Sequence, residues 1–491
     1  MHAIPEKSAV LTIAEMYAAD KMAVSLGVES LALMEAAGAA VARTVETRWR
    51  RRSVTVMCGP GNNGGDGFVA ARILAQSGWP VQLGLAASID SLRGDAATTA
   101  RLWREVGAIQ PLSTDLLEGD PLVVDALFGA GLSRSVEGPA REIVARVNAN
   151  NLSCLAVDVP SGVNGDTGEV LGLAPRCAVT VTFFRPKPGH LLFPAREFIG
   201  DLTVADIGIP DEVLARIAPK TAHNTPALWQ LPQRSWSDHK YDRGYAIVVG
   251  GGAMPGAARL AARAARRAGA GLLRMAVPPE VVAQCAADAP GAFVQALAAT
   301  ADLDDLFADP RRNGVLFGPG AGVGATTRER TRKILGAGRA VVLDADALTS
   351  FEANPKALLA EIAAATAPIV LTPHDGEFRR LFPEVVGSRL DRARRVAALS
   401  GAVVVLKGAD TVVAAPDGRA AIASNAPSWL ATGGTGDVLA GLILGLLVQR
   451  MPAWEAACAA VWIHGEAGRR VGRGLIAEDL PEAVPSILAG I

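Results

Sequence analysis

The stretch Val54-Thr55-Val56-Met57-Cys58-Gly59-Pro60-Gly61-Asn62-Asn63-Gly64-Gly65-Asp66-Gly67 decides the fold of the N-terminal half of this chain. It opens with a short apolar run typical of a buried strand and continues as a glycine-rich loop. Residues 68–76 follow with helical spacing, and residues 81–85 form a second apolar run. Strand, loop, helix and strand in this order predict a βαβ unit with parallel strands and a right-handed crossover.

The same alternation continues along most of the chain. Residues 12–48 have helical character, and Ala257–Ala268 and Val438–Val448 are further helix candidates. Buried strands are predicted at residues 122–125, 155–158, 179–184, 246–249, 315–317, 340–343, 368–371 and 402–406. Between residues 210 and 240, prolines among polar residues without a sustained period predict a linker. We therefore expect an α/β protein with two domains, residues 1–215 and 226–491.

Composition and charge argue against several classes of protein. The 491 residues carry a formal net charge of −1, which lacks the positive field of a nucleic-acid-binding protein. The five cysteines have no C-x-x-C spacing, so we expect neither a disulfide framework nor a zinc knuckle. Residues 1–7 lack the pattern of a signal peptide, and the apolar run 438–448 is too short to span a bilayer. We expect a cytoplasmic protein without a membrane partner, whose Ala-rich helices favour a homo-oligomer.

The glycine loop after the first strand has the composition of a phosphate-binding site. Glycines let backbone N–H groups approach a phosphate closely, and a helix start adds a partial positive charge. Asn62 and Asn63 add side-chain amides. The structural alternative is a tight turn without a ligand, but the density of glycines together with two Asn and one Asp favours binding.

Asp125 and Asp158 each end an apolar run in the first half. The carboxyl ends of parallel strands border the ligand crevice of an open α/β sheet, so a carboxylate there is a candidate for function. The alternative is a helix cap or a turn former. Two carboxylates that converge with a phosphate loop favour the functional interpretation.

These segments resemble the epimerase domain of the NAD(P)H-hydrate repair family over about residues 10–212. The resemblance rests on the motifs Gly-Asn-Asn-Gly-Gly-Asp-Gly, Asp-Ala-Leu-Phe-Gly-Ala-Gly-Leu, Asp-Val-Pro-Ser-Gly and Thr-Phe-Phe-Arg-Pro-Lys-Pro-Gly. It implies a Rossmann-like parallel sheet, hydrated NADH or NADPH as the substrate, and a potassium ion held by Asn63, Asp125 and Ser161. It also implies that Asp158 contacts the nicotinamide end. A carboxylate there either shuttles a proton or stabilises a cationic intermediate, and we predict Asp158 as that catalytic group, with Lys187 either assisting or lying on the surface. The implied substrate contacts are Asn62, Asn63, Gly64, Gly65, Asp66, Gly129, Ala130, Gly131, Leu132, Ser133, Arg134, Ser135 and Asp158.

The second half contains Ala431-Thr432-Gly433-Gly434-Thr435-Gly436-Asp437, followed directly by an apolar helical run. Glycines at a helix start form an anion hole that stabilises a phosphoryl group in transfer. An Asp in that hole can accept the proton of an attacking hydroxyl. An Asp cap after a glycine turn is the structural alternative, and the combined pattern favours phosphoryl transfer.

This segment resembles the ribokinase-like superfamily from about residue 226 to the C-terminus. The motifs Leu371–Phe378, Val405–Thr411, Gly318–Gly322 and Leu343–Leu348 narrow the resemblance to the ADP-dependent NAD(P)H-hydrate dehydratase branch. It implies a ribokinase-like α/β domain that phosphorylates the ring hydroxyl with ADP, or alternatively ATP, and then eliminates phosphate. Asp437 is the implied catalytic base. Mg²⁺ is an implied cofactor, and Asp344 and Asp346 are either structural residues or residues that help to place it. The implied substrate contacts are Ala258, Gly320, Gly322, His374 and Asp437. The implied nucleotide contacts are Lys407, Gly408, Ala409, Asp410, Thr411 and Gly436.

Two departures and two alternatives stand beside these resemblances. The family usually has an Asn-Pro segment where this chain has Asn425-Ala426-Pro427, and often has Pro at the position of Asp375. Both differences bear on nucleotide preference more than on the reaction. One alternative is a small-molecule kinase with a regulatory N-terminal domain. The other is an N-terminal module that only binds a dinucleotide or a protein, which the potassium set argues against.

Overall fold

The computed structural model describes residues 4–233 and 235–491. Of residues 1–7, which lack the pattern of a signal peptide, the first three lie outside the described residues. The chain divides into two compact units, Met1–Thr221 and Ala222–Ile491. The residues expected to form a linker are only partly irregular, because they include a helix at Glu212–Ile217 and a strand at Thr221–His223. The linker prediction was wrong there, since buried apolar residues such as Val213 and Leu214 gave no clear period in so short a helix.

The first unit is built on a parallel sheet with helices between its strands. Its strands are β1 (Ala9–Val10), β2 (Val54–Cys58), β3 (Val81–Leu85), β4 (Ile109–Pro111), β5 (Leu122–Ala126), β6 (Cys154–Val157), β7 (Val179–Phe183) and β8 (Asp201–Ala205). Its helices are α1 (Ile13–Ser25), α2 (Ser30–Arg48), α3 (Asn62–Gln76), α4 (Gly94–Arg104), α5 (Gly138–Ala149), α6 (Arg196–Ile199) and α7 (Glu212–Ile217). The seven-stranded sheet has the order β4-β3-β2-β5-β6-β7-β8, and all of its pairs are parallel.

The second unit repeats this plan and adds an antiparallel edge. Its strands are β9 (Thr221–His223), β10 (Tyr245–Val249), β11 (Leu272–Val277), β12 (Phe293–Ala296), β13 (Arg312–Phe317), β14 (Ala340–Leu343), β15 (Ile369–Leu371), β16 (Val403–Leu406), β17 (Val412–Ala414) and β18 (Ala420–Ile422). Its helices are α8 (Pro255–Arg267), α9 (Val282–Asp288), α10 (Leu303–Phe307), α11 (Ala325–Leu335), α12 (Asp346–Thr349), α13 (Pro355–Ala364), α14 (Asp375–Leu381), α15 (Arg389–Ser400), α16 (Thr435–Leu447), α17 (Ala453–Val471) and α18 (Asp479–Leu488). In this unit the strands of the sheet are in the order β12-β11-β10-β13-β14-β15-β16-β17-β18-β9, with parallel pairs from β12 to β16 and antiparallel pairs from β16 to β18.

In each unit the strand order reverses direction at one point. The chain moves outward from β2 to β3 and β4 and then returns to pair β5 with β2. In the second unit the same reversal brings β13 beside β10. Loops leaving two strands on opposite sides of such a reversal diverge and open a crevice at their carboxyl ends, where ligands of open α/β sheets bind.

The apolar helix α16 is buried on almost every side. Close packing against α8 needs small residues: a β-carbon at Gly441 would lie 2.2 Å from the carbonyl oxygen of Ala261. All five cysteines are buried and free, with the sulfurs of Cys154 and Cys177 3.6 Å apart. Within the described parts of the chain, no helix has both the length and the apolarity needed to cross a membrane.

Candidate active sites

The glycine segment after β2 is the first turn of a helix and not a free loop. Helix α3 begins at Asn62, with Gly61 at its N-cap. A β-carbon at Gly59 would lie 1.7 Å from the carbonyl oxygen of Leu127, and one at Gly64 would lie 1.9 Å from that of Gly59. Gly59 therefore lets the segment after β2 lie against the backbone after β5, and Gly64 lets the first turn of α3 lie against Gly59. The prediction of a glycine loop was wrong in this detail, because backbone contacts, and not local propensity, carry the glycines into the helix.

Gly64→Ala is expected to destabilise the first unit by about 3 kcal/mol, because backbone must move to admit a methyl group. The matched control is Gly61→Ala, where no atom lies within 4 Å of the added carbon. Thermal unfolding of the two variants measures the difference. Equal melting temperatures for both would contradict the close backbone approach.

Asp158 lies just beyond β6 in a network of hydrogen bonds. Its Oδ1 accepts from Lys187 Nζ at 2.7 Å and from Thr182 Oγ1 at 3.0 Å, while its Oδ2 accepts from the Ala130 backbone N–H at 3.0 Å. The Lys187 side chain is only 3% exposed, so the interpretation of Lys187 as a surface lysine is wrong. Asp158 itself has φ +63°, in the left-handed region that is rare for residues other than glycine. The structure thus holds this carboxylate in a specific and strained position.

Electrostatics keep Asp158 ionised. Burial alone raises its pKa, but the charge and hydrogen bond of Lys187 outweigh burial and bring the pKa to about 2. His190 supports the same turn: its Nδ1 accepts from the Lys187 backbone N–H at 2.8 Å, so Nε2–H donates to the Asp158 carbonyl oxygen at 2.7 Å. Burial and the charge of Lys187 lower the pKa of His190 to about 4, so the ring is neutral at physiological pH.

A cavity of about 710 Å³ opens at this edge of the sheet. Most of the predicted substrate contacts line it, namely Asn62, Asn63, Asp66, Gly129, Ala130, Gly131, Leu132, Arg134 and Asp158. The predicted contacts Gly64, Gly65, Ser133 and Ser135 are not among its lining residues. Helix α1 adds a wall that sequence reasoning missed, including Tyr17 and Asp20. No motif marks those positions; the only available signal was a carboxylate in a helical segment that precedes the glycine motif.

Two further carboxyl groups of this cavity have raised pKa values. Burial, together with the negative charges of Asp158 and Asp20, raises the pKa of Asp66 well above its usual range and so favours its protonated form. Burial raises the pKa of Asp20 to about 6, with Lys187 opposing the rise and Asp158 adding to it. Perturbed carboxyl groups gathered in one cavity are typical of an active site.

The residues predicted to ligate potassium provide a suitable set of oxygens. Asp125 is fully buried at the end of β5, and its carboxylate accepts the backbone N–H and the hydroxyl of Ser161, both at 2.7 Å. The Ser161 hydroxyl is also 3.3 Å from the Phe128 carbonyl oxygen. Carboxylate, hydroxyl and carbonyl oxygens are hard donors that suit an alkali cation. The buried Asn63 Nδ2 has no hydrogen-bond partner among the described residues, and the amide oxygen of the same side chain is the atom that could ligate a cation.

In the second unit, Asp437 lies in the first turn of α16, after Gly434, which has φ +89°. Lys407 follows β16 and pairs with Asp344 at 2.7 Å, and its Nζ would lie 3.5 Å from a β-carbon at Gly436. Burial raises the pKa of Asp437 to about 7; the charges of Asp344, Asp346 and Glu377 add to the rise, and Lys407 opposes it. This excess of carboxylates over cationic side chains fits a site that also receives a divalent cation.

His374 and the glycine segment after β13 lie at the same edge of the sheet. His374 caps α14, and its Nδ1 accepts the backbone N–H groups of Gly376 and Glu377 at 2.9 and 3.2 Å. Its side chain is 53% exposed, which leaves the ring accessible to a ligand. Gly320 has φ +65°, and the Gly322 N–H donates to Asp346 Oδ2 at 2.8 Å. The other predicted contact, Ala258, is fully buried under Gly250, so its side chain does not face solvent.

Arg389, the first residue of α15, holds the predicted nucleotide segment Lys407–Thr411. Its Nη1 donates to the Lys407 carbonyl oxygen at 3.0 Å, its Nε pairs with Asp410 at 2.8 Å, and its Nη2 pairs with Asp375. A β-carbon at Gly408 would lie 2.8 Å from the Arg389 guanidinium carbon. Gly408 therefore makes room for Arg389, a requirement separate from the nucleotide contact implied by the family resemblance.

Arg389→Ala is expected to raise the KM for the nucleotide about tenfold while changing kcat less, because binding then also has to order the segment. Arg395→Ala, on the exposed face of the same helix, is the matched control. Steady-state kinetics with varied nucleotide concentration separates the two constants. An unchanged KM with a uniformly lowered kcat would argue against a positioning role for Arg389.

Two α/β units, each with a carboxylate–lysine pair beyond the carboxyl ends of its parallel strands and a glycine-rich helix start at the same edge, define an α/β enzyme with two nucleotide-type sites. Residues 30–189 match the family model of the YjeF-related protein N-terminus, and residues 246–487 match that of NAD(P)H-hydrate dehydratase. The bifunctional NAD(P)H-hydrate repair enzyme Nnr of Salinibacter ruber is 37% identical over 98% of this chain and 96% of its own length. The enzyme of that name from Escherichia coli is 34% identical over 93% of this chain and 89% of its own length. This chain belongs to the family of bifunctional NAD(P)H-hydrate repair enzymes.

Two solved structures are similar to about half of this chain. A ribokinase-like superfamily protein from Enterococcus faecalis is 26% identical over 53% of this chain and 92% of its own, with a TM-score of 0.48. The ADP/ATP-dependent NAD(P)H-hydrate dehydratase of Bacillus subtilis was co-crystallised with ATP and Mg²⁺. It is 29% identical over 53% of this chain and 94% of its own, with a TM-score of 0.45. The predicted fold class, a Rossmann-like sheet followed by a ribokinase-like α/β domain, is confirmed.

Proposed function

We propose that this chain repairs hydrated NADH and NADPH by two reactions, one in each half. Residues 1–215 interconvert the R and S forms of the hydrate, and residues 226–491 dehydrate the S form at the expense of ADP or ATP. One observation carries the proposal: the family relationship spans nearly the whole chain, and each half keeps a carboxylate–lysine pair at the carboxyl edge of its parallel strands. Neither half resembles a remnant whose site has been lost.

The epimerase half inverts the ring carbon that bears the hydroxyl. Departure of the hydroxyl leaves positive charge on the nicotinamide ring, and a fixed anion beside the ring stabilises that charge. Asp158 fits this role, since its hydrogen bonds to Lys187 and Ala130 keep it ionised and oriented. Asn62 and Arg134 on the cavity wall are suited to hold the phosphates of the dinucleotide. Ser133 and Ser135 are also proposed to contact the dinucleotide, because they adjoin Leu132 and Arg134 of the cavity wall.

The dehydratase half makes the hydroxyl a better leaving group. Asp437 accepts the proton of the ring hydroxyl as its oxygen attacks the terminal phosphoryl group of the nucleotide. The start of α16 and Lys407 stabilise the charge on that group. Elimination of phosphate then restores the reduced ring. His374, Gly320 and Gly322 are proposed to contact the hydrate, and Gly408, Ala409, Asp410, Thr411 and Gly436 the nucleotide.

Two cations belong to the proposal. K⁺, held by Asn63, Asp125 and Ser161, would neutralise negative charge beside the dinucleotide, and Mg²⁺ near Asp344 and Asp346 would neutralise nucleotide phosphates. The five buried thiols are consistent with the proposed cytoplasmic, reducing location. A homo-oligomer is proposed on the Ala-rich helices alone.

The test is recovery of the reduced-nicotinamide absorbance from mixed R and S hydrates, with Mg²⁺ and with ADP or ATP, in K⁺ or in Na⁺. Full, nucleotide-dependent recovery of both epimers supports both activities and identifies the phosphoryl donor. Slower recovery of the R form in Na⁺ supports the potassium site. Recovery of the S form alone would refute the epimerase half, and no recovery with either nucleotide would favour a small-molecule kinase.

A further inference from the structure

The proposed epimerisation requires a group that gives and takes a proton near neutral pH. Asp158 is poorly suited to that task. It accepts hydrogen bonds from Lys187, Thr182 and Ala130, and its pKa of about 2 leaves it ionised throughout the physiological range. A group exchanges protons efficiently only when its pKa lies near the working pH. Asp158 therefore stabilises charge without carrying a proton.

Asp66 is unsuited for the opposite reason. It lies in the first turns of α3 and is 8% exposed. Burial and the charges of Asp158 and Asp20 raise its pKa well above the usual range, so its protonated form is favoured. A buried neutral carboxyl can donate a hydrogen bond, but it releases a proton only with difficulty.

Asp20 differs from both. It lines the same cavity from α1 and is half-buried, and none of the described residues forms a hydrogen bond or an ion pair with its carboxylate. The charged groups that act on it from other elements are Asp158, Lys187 and Asp66, and Tyr17 and Lys21 flank it on its own helix. Burial brings the pKa of Asp20 to about 6, with Lys187 opposing the rise and Asp158 adding to it. Its oxygens are thus available to a substrate, and both protonation states are populated close to neutrality.

We propose that Asp20 is the acid–base catalyst of the epimerisation, an inference that rests on the proposed function of the first unit. Water added to a dihydropyridine resides on a carbon next to the ring nitrogen. Protonated Asp20 donates its proton to that hydroxyl, the carbon–oxygen bond breaks, and its electron pair leaves with the oxygen as water. The nitrogen lone pair forms the new carbon–nitrogen double bond, and Asp158 faces the resulting cation.

The return step uses the same group in the opposite sense. Water adds to the other face of the carbon–nitrogen double bond, the double-bond electrons return to nitrogen, and Asp20 takes the surplus proton. The cycle regenerates protonated Asp20 and consumes no co-reactant. It also divides labour between two carboxyl groups whose surroundings separate their pKa values, as in other acid–base active sites.

Asp20→Asn in the full-length protein tests the proposal. The rate of R-to-S conversion is measured by chromatography without nucleotide between pH 5 and 9. Wild-type kcat/KM should fall about tenfold per pH unit above pH 6, because the protonated acid is required for the first step. The Asn variant should lose at least about 100-fold in kcat and lose that slope. Asp20→Glu, which keeps an ionisable carboxyl, should recover part of both.

Glu29→Gln is the matched control. Glu29 is an exposed residue at the N-cap position of α2; its side chain makes no capping hydrogen bond and does not line the cavity. It should behave as wild type, and dehydration of the S form should be unchanged in all variants. An Asn variant with the wild-type rate and pH profile would overturn the role of Asp20. Failure of the wild-type protein itself to interconvert the epimers would instead overturn the proposed function.

Discussion

Asp437→Asn is expected to lower the kcat of dehydration by about 10³-fold, the middle of the range for removing a general base. Asn keeps the shape of the side chain and its place in the first turn of α16 but cannot accept the proton of the ring hydroxyl. Initial rates of absorbance recovery from the purified S form, at saturating nucleotide, measure the effect. Interconversion of the epimers should be unchanged, because Asp437 belongs to the second unit.

The pH dependence gives an independent signature of the same residue. The pKa of Asp437 is raised to about 7, and the base acts as its carboxylate, so the wild-type rate should rise with pH and level off above about pH 7. A carboxyl with a raised pKa favours folding below its unfolded value and loses that contribution as pH rises through 7. The Asn variant should therefore be more stable than wild type at pH 8, by about 2 kcal/mol.

A stable but inactive Asn variant separates catalysis from folding. Glu478→Gln, at an exposed carboxyl before α18, is the control for loss of one negative charge. Loss of both epimerisation and dehydration in Asp437→Asn would contradict the division of labour between the units. Retention of most of the dehydration rate would show that another group takes the proton.

Asp158→Asn is expected to lower epimerisation at least about 100-fold and to destabilise the first unit. The variant leaves Lys187, 3% exposed, without its counter-charge, and breaking a buried ion pair from one side costs about 3 to 5 kcal/mol. The folded pKa of about 2 lies below the ordinary value, so wild-type Asp158 contributes stability above pH 4 and loses it as pH falls towards 2. Interconversion of the epimers and thermal unfolding are the two measurements.

A double variant distinguishes lost chemistry from lost folding. Asp158→Asn combined with Lys187→Met removes both charges and should recover much of the stability, because no unpaired ion remains. It should not recover epimerisation, since the anion that faces the ring is still missing. Dehydration of the S form should persist in both variants. Recovery of epimerisation in the double variant would assign Asp158 a purely structural role.

The sequence by itself determined the architecture and the position of both sites. Apolar runs such as 340–343, bounded by polar and glycine residues, predict buried strands because a strand covered on both faces needs side chains of that kind. The strands at β10, β14 and β16 were located within a residue or two. Asp125, Asp158 and Asp437 were recognisable because each stands at the end of such a run or at a helix start, where a local pattern implies a place in the fold.

Only the tertiary structure decided how distant segments combine. Asp20 reaches the cavity because α1 packs against the carboxyl edge of the sheet, and no local pattern encodes that contact. Likewise, only the folded structure shows why two positions need glycine. A β-carbon at Gly408 would meet the Arg389 side chain, and one at Gly64 would meet the carbonyl oxygen of Gly59. The pKa values of Asp20, Asp158 and Asp437 also depend on burial and on charges brought together from several elements. Periodicity and motifs predict the secondary structure and the binding role of a segment. The pKa of a carboxyl group depends instead on the burial and the charges that folding places beside it.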